Sequence, residues 1–269
     1  MARRVGWIQS QCDRPPHYST TRYRQNDRDA AAGLRLASQI VFEHGDSRGL
    51  LAFRFADTHL HVLLMCLRAA AGIFARSVEG ALRKRLGIPI AFEGARIRPI
   101  ETVRHLSNGF RYTFRQEAHH GTAFDPAHEG SNLPELLGMR VRPSGIGARV
   151  RAAVPRLTRA TLLEWLGTSV IDDSEASTDI TLVSEASAAA FGIANLYGLS
   201  RAHASARRAA VHVLDKLAPE HDPATLLSLP VRSVNRYRVE QAPATDLRAV
   251  ERQLRLRTFL RERFDVGGL

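Results

Sequence analysis

Apolar and polar positions alternate in two registers along the first 121 residues, and the switches between them outline a mixed α+β domain. The run LAFRFADTHLHVLLM, residues 51–65, is rich enough in Phe, Val and Leu to predict one or two strands, the later half carrying two histidines. Before it, Ala, Leu, Ile and Val recur at helical spacing over 29–44, followed by a turn from Gly45 to Gly49. After it, an amphipathic helix is expected over about 70–86. It ends in Arg83-Lys84-Arg85, where cations suit the helix dipole, and stops at Gly87 with Pro89 beyond. Strand-like pieces around 88–100 lead into a further helix over roughly 102–118, broken at Gly121. Residues 17–26 are expected as the first strand, and the Arg- and Pro-containing lead-in 1–16 is given no element. Strands and helices alternating at these lengths predict a layered sandwich.

Beyond residue 121 the pattern changes. Residues 122–180 open like a connector and then show two short helical pieces, LPELLG (133–138) and LTRATLLEWLG (157–167), the latter opened near Thr158. Trp165 and the leucines around it read as packing residues, and Asp172-Asp173-Ser174-Glu175 as an acidic loop. From 181 the chain is helical throughout. One helix spans Ser184 to Phe191 and closes at Gly192, and a second spans Ala204 to Leu217 before Pro219. Two short ones near 223–229 and 231–238 meet at Leu229-Pro230, and a last one lies in DLRAVERQLRLRTFLR. A tight turn between two short helices is the geometry of a helix-turn-helix. Three segments follow: 1–124, a connector 125–180, and a helical domain 181–269.

Two groups of side chains carry chemistry. His59 and His61 are two apart on a strand, so their imidazoles project from one face about 6–7 Å apart and can converge on one ion. Tyr112 and Gln116 are four apart on a helix and share a face. Two imidazole nitrogens and an amide oxygen suit a divalent cation with open positions, and a phenol beside that ion is a nucleophile. Arg54, Arg111 and Arg115 flank these residues, and a guanidinium fork matches phosphate geometry. His119 and His120 follow Gln116 closely; one could lie near the ion, and the other reading makes them structural or phosphate-contacting groups at a helix C-terminal end.

Charge sharpens the choice of partner. The chain of 269 residues carries a formal charge of +11, and only Lys84 and Lys216 are lysines. Residues 1–121 hold nineteen Arg or Lys against ten acids, whereas 122–269 hold nineteen against seventeen, so the excess surrounds the candidate chemistry. Such a surface draws polyanions. Two cysteines, Cys12 and Cys66, make no secreted-type framework, and no run of apolar residues reaches signal or membrane-span length. The expectation is a cytoplasmic protein, monomer or homodimer, with no membrane partner.

In order and spacing, HYSTTRYRQNDRD (17–29), DAAAGLRLASQIVFEHG (29–45), ADTHLHVLL (56–64), AAGIFARSVEGALRKRLG (70–87), FEGARIRPIET (92–102) and HLSNGFRYTFRQEAHHG (105–121) resemble the single-tyrosine HUH transposases, especially the REP-associated tyrosine transposases. The chain departs from many of those members at Ala56-Asp57-Thr58 and again after Gln116. The resemblance implies an antiparallel-sheet HUH nuclease sandwich, with His59, His61 and Gln116 as ligands of Mg²⁺ or Mn²⁺. It makes Tyr112 the nucleophile of a 5′-phosphotyrosine intermediate and single-stranded, hairpin-forming DNA the substrate in transposition or repeat mobilisation. The alternative is a catalytically inactive, domesticated DNA-binding protein of the same fold. The C-terminal region is similar to the duplex-binding domain of the replication initiator DnaA. The matching features are AAAFGI-x-x-L (188–196), Leu199-Ser200-Arg201, Ala206-Arg207-Arg208-Ala209-Ala210 and the short helix pair ending near Arg236. That similarity implies double-stranded DNA as a second partner, met by Arg201, Arg207, Arg232 and Arg236. As a helical packing or dimerisation domain, the same arginines would be a solvated face.

Overall fold

The computed structural model describes residues 5–11, 23–56, 59–89, 92–116, 128–141, 145–165 and 179–265. The chain divides into two units, the first made of residues 1–136 with 143–167 and the second of 137–142 with 168–269. The stretch 125–180, expected as a connector, is therefore shared between them.

In the first unit the element order is β1 (Val5–Gln11), α1 (Tyr23–Gly45), β2 (Leu50–Ala56), β3 (His59–Met65), α2 (Arg68–Leu86), β4 (Arg96–Ile100) and α3 (Val103–Phe114). The strands form one antiparallel sheet in the order β2-β3-β1-β4. The first strand expected at 17–26 is thus misplaced. It lies at Val5–Gln11, and Tyr23 already begins a helix. Its position explains the error, because β1 is paired on both sides, to β3 and to β4, and long-range pairing stabilises a strand that its own short pattern does not announce.

β2 and β3 read as nearly continuous apolar runs because both faces are covered. Phe53, opposite Val62 in register, meets Phe42 of α1 edge to face at 5.3 Å. On that side Leu60 and Val62 line a small cavity together with Phe74, Ala75, Val78 and Leu82 of α2. The opposite face takes α3, whose buried residues Leu106, Phe110, Thr113 and Phe114 follow helical spacing. Gly109 of α3 lies over Leu63, where a Cβ would come within 3.3 Å of a leucine methyl. α3 starts at Thr102, whose hydroxyl accepts from the His105 amide at 3.0 Å. Burying a ring such as Phe53 or Phe110 contributes about 1.5–3 kcal/mol.

Gly49 closes the link into β2 with φ +77°, and a Cβ there would come within 2.6 Å of the Met65 carbonyl, so only glycine fits. The outer edge of β2 is sealed from far along the chain. The amide of Phe55 donates to the Gly130 carbonyl at 2.8 Å. Asn132 accepts from the Phe53 amide at 2.7 Å and donates to the Leu51 carbonyl at 3.1 Å. That segment is fixed by a buried ion pair between Arg35 and Glu129, 2.9 Å apart. Three short helices follow, α4 (Leu133–Leu136), α5 (Ile146–Ala153) and α6 (Arg159–Trp165). The last starts at Thr158, whose hydroxyl accepts from the Thr161 amide at 3.1 Å.

The second unit is helical among its described residues: α7 (Val183–Phe191), α8 (Arg201–Leu217), α9 (Pro223–Leu226), α10 (Val231–Val239) and α11 (Ala244–Asp265). Ala186, Ala188, Ala189 and Ala190 are buried, and such small side chains let α7 lie close to α8 and α11. Gly192 ends α7 at φ +62°. The turn between α9 and α10 passes through Ser228 at φ 51°, with the Leu229 amide donating to the Ala224 carbonyl at 2.9 Å. Val234 and Tyr237 of α10 are buried in the shared core.

Candidate functional site

β3 delivers His59 and His61 to the α3 side of the sheet. Their rings lie 5.3 Å apart between centroids, so the two imidazoles are neighbours on one face. His61 is fully buried and His59 is half-buried. α3 crosses the same face, which its pattern of buried Leu106, Phe110, Thr113 and Phe114 dictates, and its last full turn brings Tyr112 against His61. The two rings meet edge to face, with centroids 5.3 Å apart and planes at 89°. Tyr112 remains 38 % exposed, so one side of the ring is packed while the residue still meets solvent.

Gln116 lies just past the end of α3, yet it is buried beside the same turn, and its Nε2 donates to the Tyr112 carbonyl at 2.6 Å. A carbonyl in that position demands the amide NH₂, which leaves Oε1 as a buried acceptor. Among the described residues no hydrogen bond reaches it. Imidazole nitrogens and an amide oxygen are donor types that suit a divalent cation. A buried acceptor without a donor, such as Gln116 Oε1, is costly in an apolar core. Among the described residues no three His, Cys, Asp or Glu side chains gather into a metal-binding group, and of His59, His61 and Gln116 only the two histidines are of those types.

Of the three arginines singled out beside this chemistry, Arg54 is buried. It faces His61 across the β2–β3 pair and donates to the Phe114 carbonyl at 3.3 Å, anchoring the C-terminal end of α3. Arg111 is exposed one residue before Tyr112, and Arg115 is the half-buried C-cap of the same helix. His119 and His120 lie outside the described residues, as does the acidic loop 172–175.

In the second unit Arg201 is exposed at the start of α8, and Arg232 and Arg236 are exposed on α10. Arg236 lies over the Tyr237 ring at 5.0 Å and near Glu240 at 3.6 Å. Arg207 is different. It donates to the Leu196 and Gly198 carbonyls, both at 2.9 Å, and to the Tyr237 hydroxyl at 3.1 Å, holding the loop before α8 against α10. Beneath that loop His203 takes a 2.7 Å hydrogen bond with the Ser200 hydroxyl, and burial, with the Arg207 charge, holds its imidazole below the ordinary histidine pKa.

Residue-by-residue reading passed over Asn235, exposed one turn from Arg232 on α10, although the three-residue spacing was visible. Also missed were Arg96 and Arg98, exposed alternate residues of β4, whose Arg-x-Arg spacing was the available signal. Among the described residues no helix is long and apolar enough to cross a membrane. Compared with known proteins, the chain matches no family model, no curated protein and no solved structure.

Proposed function

We propose that the first unit is a metal-dependent single-stranded DNA endonuclease and strand transferase of the HUH type, working through a 5′-phosphotyrosine intermediate. The observation that carries this reading is the packing of Tyr112 against His61, with the buried Gln116 oxygen held on the same turn. The strand order β2-β3-β1-β4, with the histidines on β3 and the tyrosine helix laid across that face, also favours the HUH sandwich.

In this reading Tyr112 Oη attacks the scissile phosphorus. A new P–O bond forms to the phenol, the bond to the 3′-oxygen breaks, the phenol gives up its proton and the departing 3′-oxygen takes one up. The bond energy stays in the tyrosyl–DNA link, so a second 3′-hydroxyl can reverse the step and join a different strand. His59, His61 and Gln116 would hold Mg²⁺ or Mn²⁺, which supplies Lewis-acid polarisation of the phosphate and offsets charge developing there. Arg54 fixes the end of α3, and through it the position of Tyr112, while Arg111 is exposed to meet a backbone phosphate.

For the second unit the proposal is duplex DNA binding by a helix-turn-helix-like pair, α9 and α10, through Arg201, Arg232 and Arg236. The exposed row Arg232, Asn235 and Arg236 supports it, since Arg and Asn are the side chains that read guanine and adenine edges.

The test is a denaturing gel of the full chain with hairpin-bearing single-stranded oligonucleotides and Mn²⁺. The wild type should give a covalent protein–DNA band and Tyr112→Phe none, with binding retained. An equal band from the Phe variant removes Tyr112 as nucleophile. Binding by the wild type without any band identifies an inactive DNA-binding protein of this fold.

A further inference from the structure

The α3 side of the sheet continues past the histidines. In register, Arg54 of β2 pairs with His61 of β3, His61 with Gln9 of β1, and Gln9 with Arg96 of β4, so one row of backbone positions crosses all four strands. Neighbouring strands lie about 4.8 Å apart, which puts Arg96 roughly 10 Å across the sheet from His61. Arg98 follows two residues on, about 6.6 Å further along the strand and on the same face. The face is fixed by neighbours of known side. Ile97 approaches Gly72 of α2, whereas Ile100, of the same parity as Arg96 and Arg98, approaches Gly109 of α3. α3 lies over β2 and β3, and Arg96 and Arg98 are exposed.

Among the described residues β4 is also an edge of the sheet. A second copy pairing antiparallel about Ile97 would set Arg96 against Arg98, and like charges directly opposed destabilise a strand pair. The same two guanidiniums suit a polyanion. We propose that the exposed edge of β4 is a phosphate track, on which Arg96 and Arg98 hold the backbone of single-stranded DNA and lead it across the sheet to Tyr112. The track rests on the strand-transferase reading and adds contacts that reading does not contain.

Binding of a fluorescein-labelled oligothymidine to the full chain in EDTA, measured against salt, tests it without any cleavage. Arg96→Ala with Arg98→Ala should weaken binding at least about tenfold and flatten the log–log salt slope by about 1.4, the share of two phosphate contacts on a single strand. Arg96→Gln with Arg98→Gln should do the same. Arg83→Ala with Lys84→Ala removes equal charge from the exposed end of α2, on the other side of the sheet, and should change affinity less than about twofold. Wild-type affinity and slope in the β4 variants would overturn the track alone, as would equal losses in both pairs. A wild-type chain that binds no oligothymidine would overturn the track together with the single-strand reading beneath it.

Discussion

His61 and Tyr112 meet edge to face, ring centroids 5.3 Å apart, although fifty residues and two further elements separate them in the chain. The contact couples the two halves of the candidate site, and the two histidines should respond differently to removal. His61 is fully buried, so His61→Ala leaves a cavity and should cost about 2–3 kcal/mol of stability. His59→Ala, at a half-buried position, should cost less than about 1 kcal/mol. On the proposed metal site, Mn²⁺ at a hundredfold excess over Kd should stabilise the wild type by about 2.7 kcal/mol and raise its melting temperature, and both variants should abolish that rise. An unchanged Mn²⁺ shift in the His59 variant would remove that residue from the ligand set.

What the sequence disclosed depended on how local the cause was. β3, α2 and α3 were legible because an apolar run or a helical repeat states its own element, whereas the helix expected to carry Gln116 on the Tyr112 face ends at Phe114, and Gln116 reaches that turn through a side-chain bond to the Tyr112 carbonyl. α1 began six residues earlier than its apolar period, since YRQNDRD is polar all round while its Arg and Gln residues are good helix formers. β1 was misplaced because its support comes from both neighbours in the sheet. Arg54 looked like a phosphate ligand beside the histidines. Only the cross-strand register to His61 and the carbonyl at the end of α3 show why it is buried. The link of Glu129 to Arg35 spans 94 residues, and no periodicity encodes a contact at that separation.

That ion pair gives the next expectation. Arg35 and Glu129 are almost wholly buried, and the Ser38 hydroxyl donates to the Glu129 carbonyl at 2.6 Å. Removing one partner strands a buried charge, so Glu129→Ala should cost about 3–5 kcal/mol. Because Gly130 and Asn132 seal β2, it should also loosen the sheet edge. Urea denaturation of the full chain measures the cost, and a loss below about 1 kcal/mol would mean that the pair is not buried in solution.

Arg207 should behave as a structural residue rather than as a surface cation. Its three hydrogen bonds, to two carbonyls and a tyrosine hydroxyl, hold the loop 196–198 against α10. Arg207→Ala should therefore lower stability by about 2–4 kcal/mol. Arg207→Lys should recover little, because a point charge cannot span the fork. Tyr237→Phe, which removes a single bond, should cost about 1 kcal/mol. Arg232→Ala, on the exposed face of α10, should leave the melting temperature within about 2 °C. A melting temperature unchanged by Arg207→Ala would return this residue to the solvated face.

The loop before α8 should also be pH-sensitive, and the sign follows from His203. Its imidazole sits beneath Gly198, where an added Cβ would come within 2.4 Å of Nε2, so burial disfavours the imidazolium, and the Arg207 charge adds to that effect. The folded pKa therefore lies below the unfolded value of about 6.5, and the unfolded chain binds the proton more readily. The contribution to stability is complete above about pH 6.5 and is lost as pH falls from there through the folded pKa. Thermal melts of the wild type and His203→Gln between pH 7.5 and 5 isolate it, since the other titrating groups are common to both. The wild type should lose more stability on acidification than the variant does. Parallel pH profiles would show that His203 titrates alike in the folded and unfolded chains, and that neither the loop nor Arg207 restrains its proton.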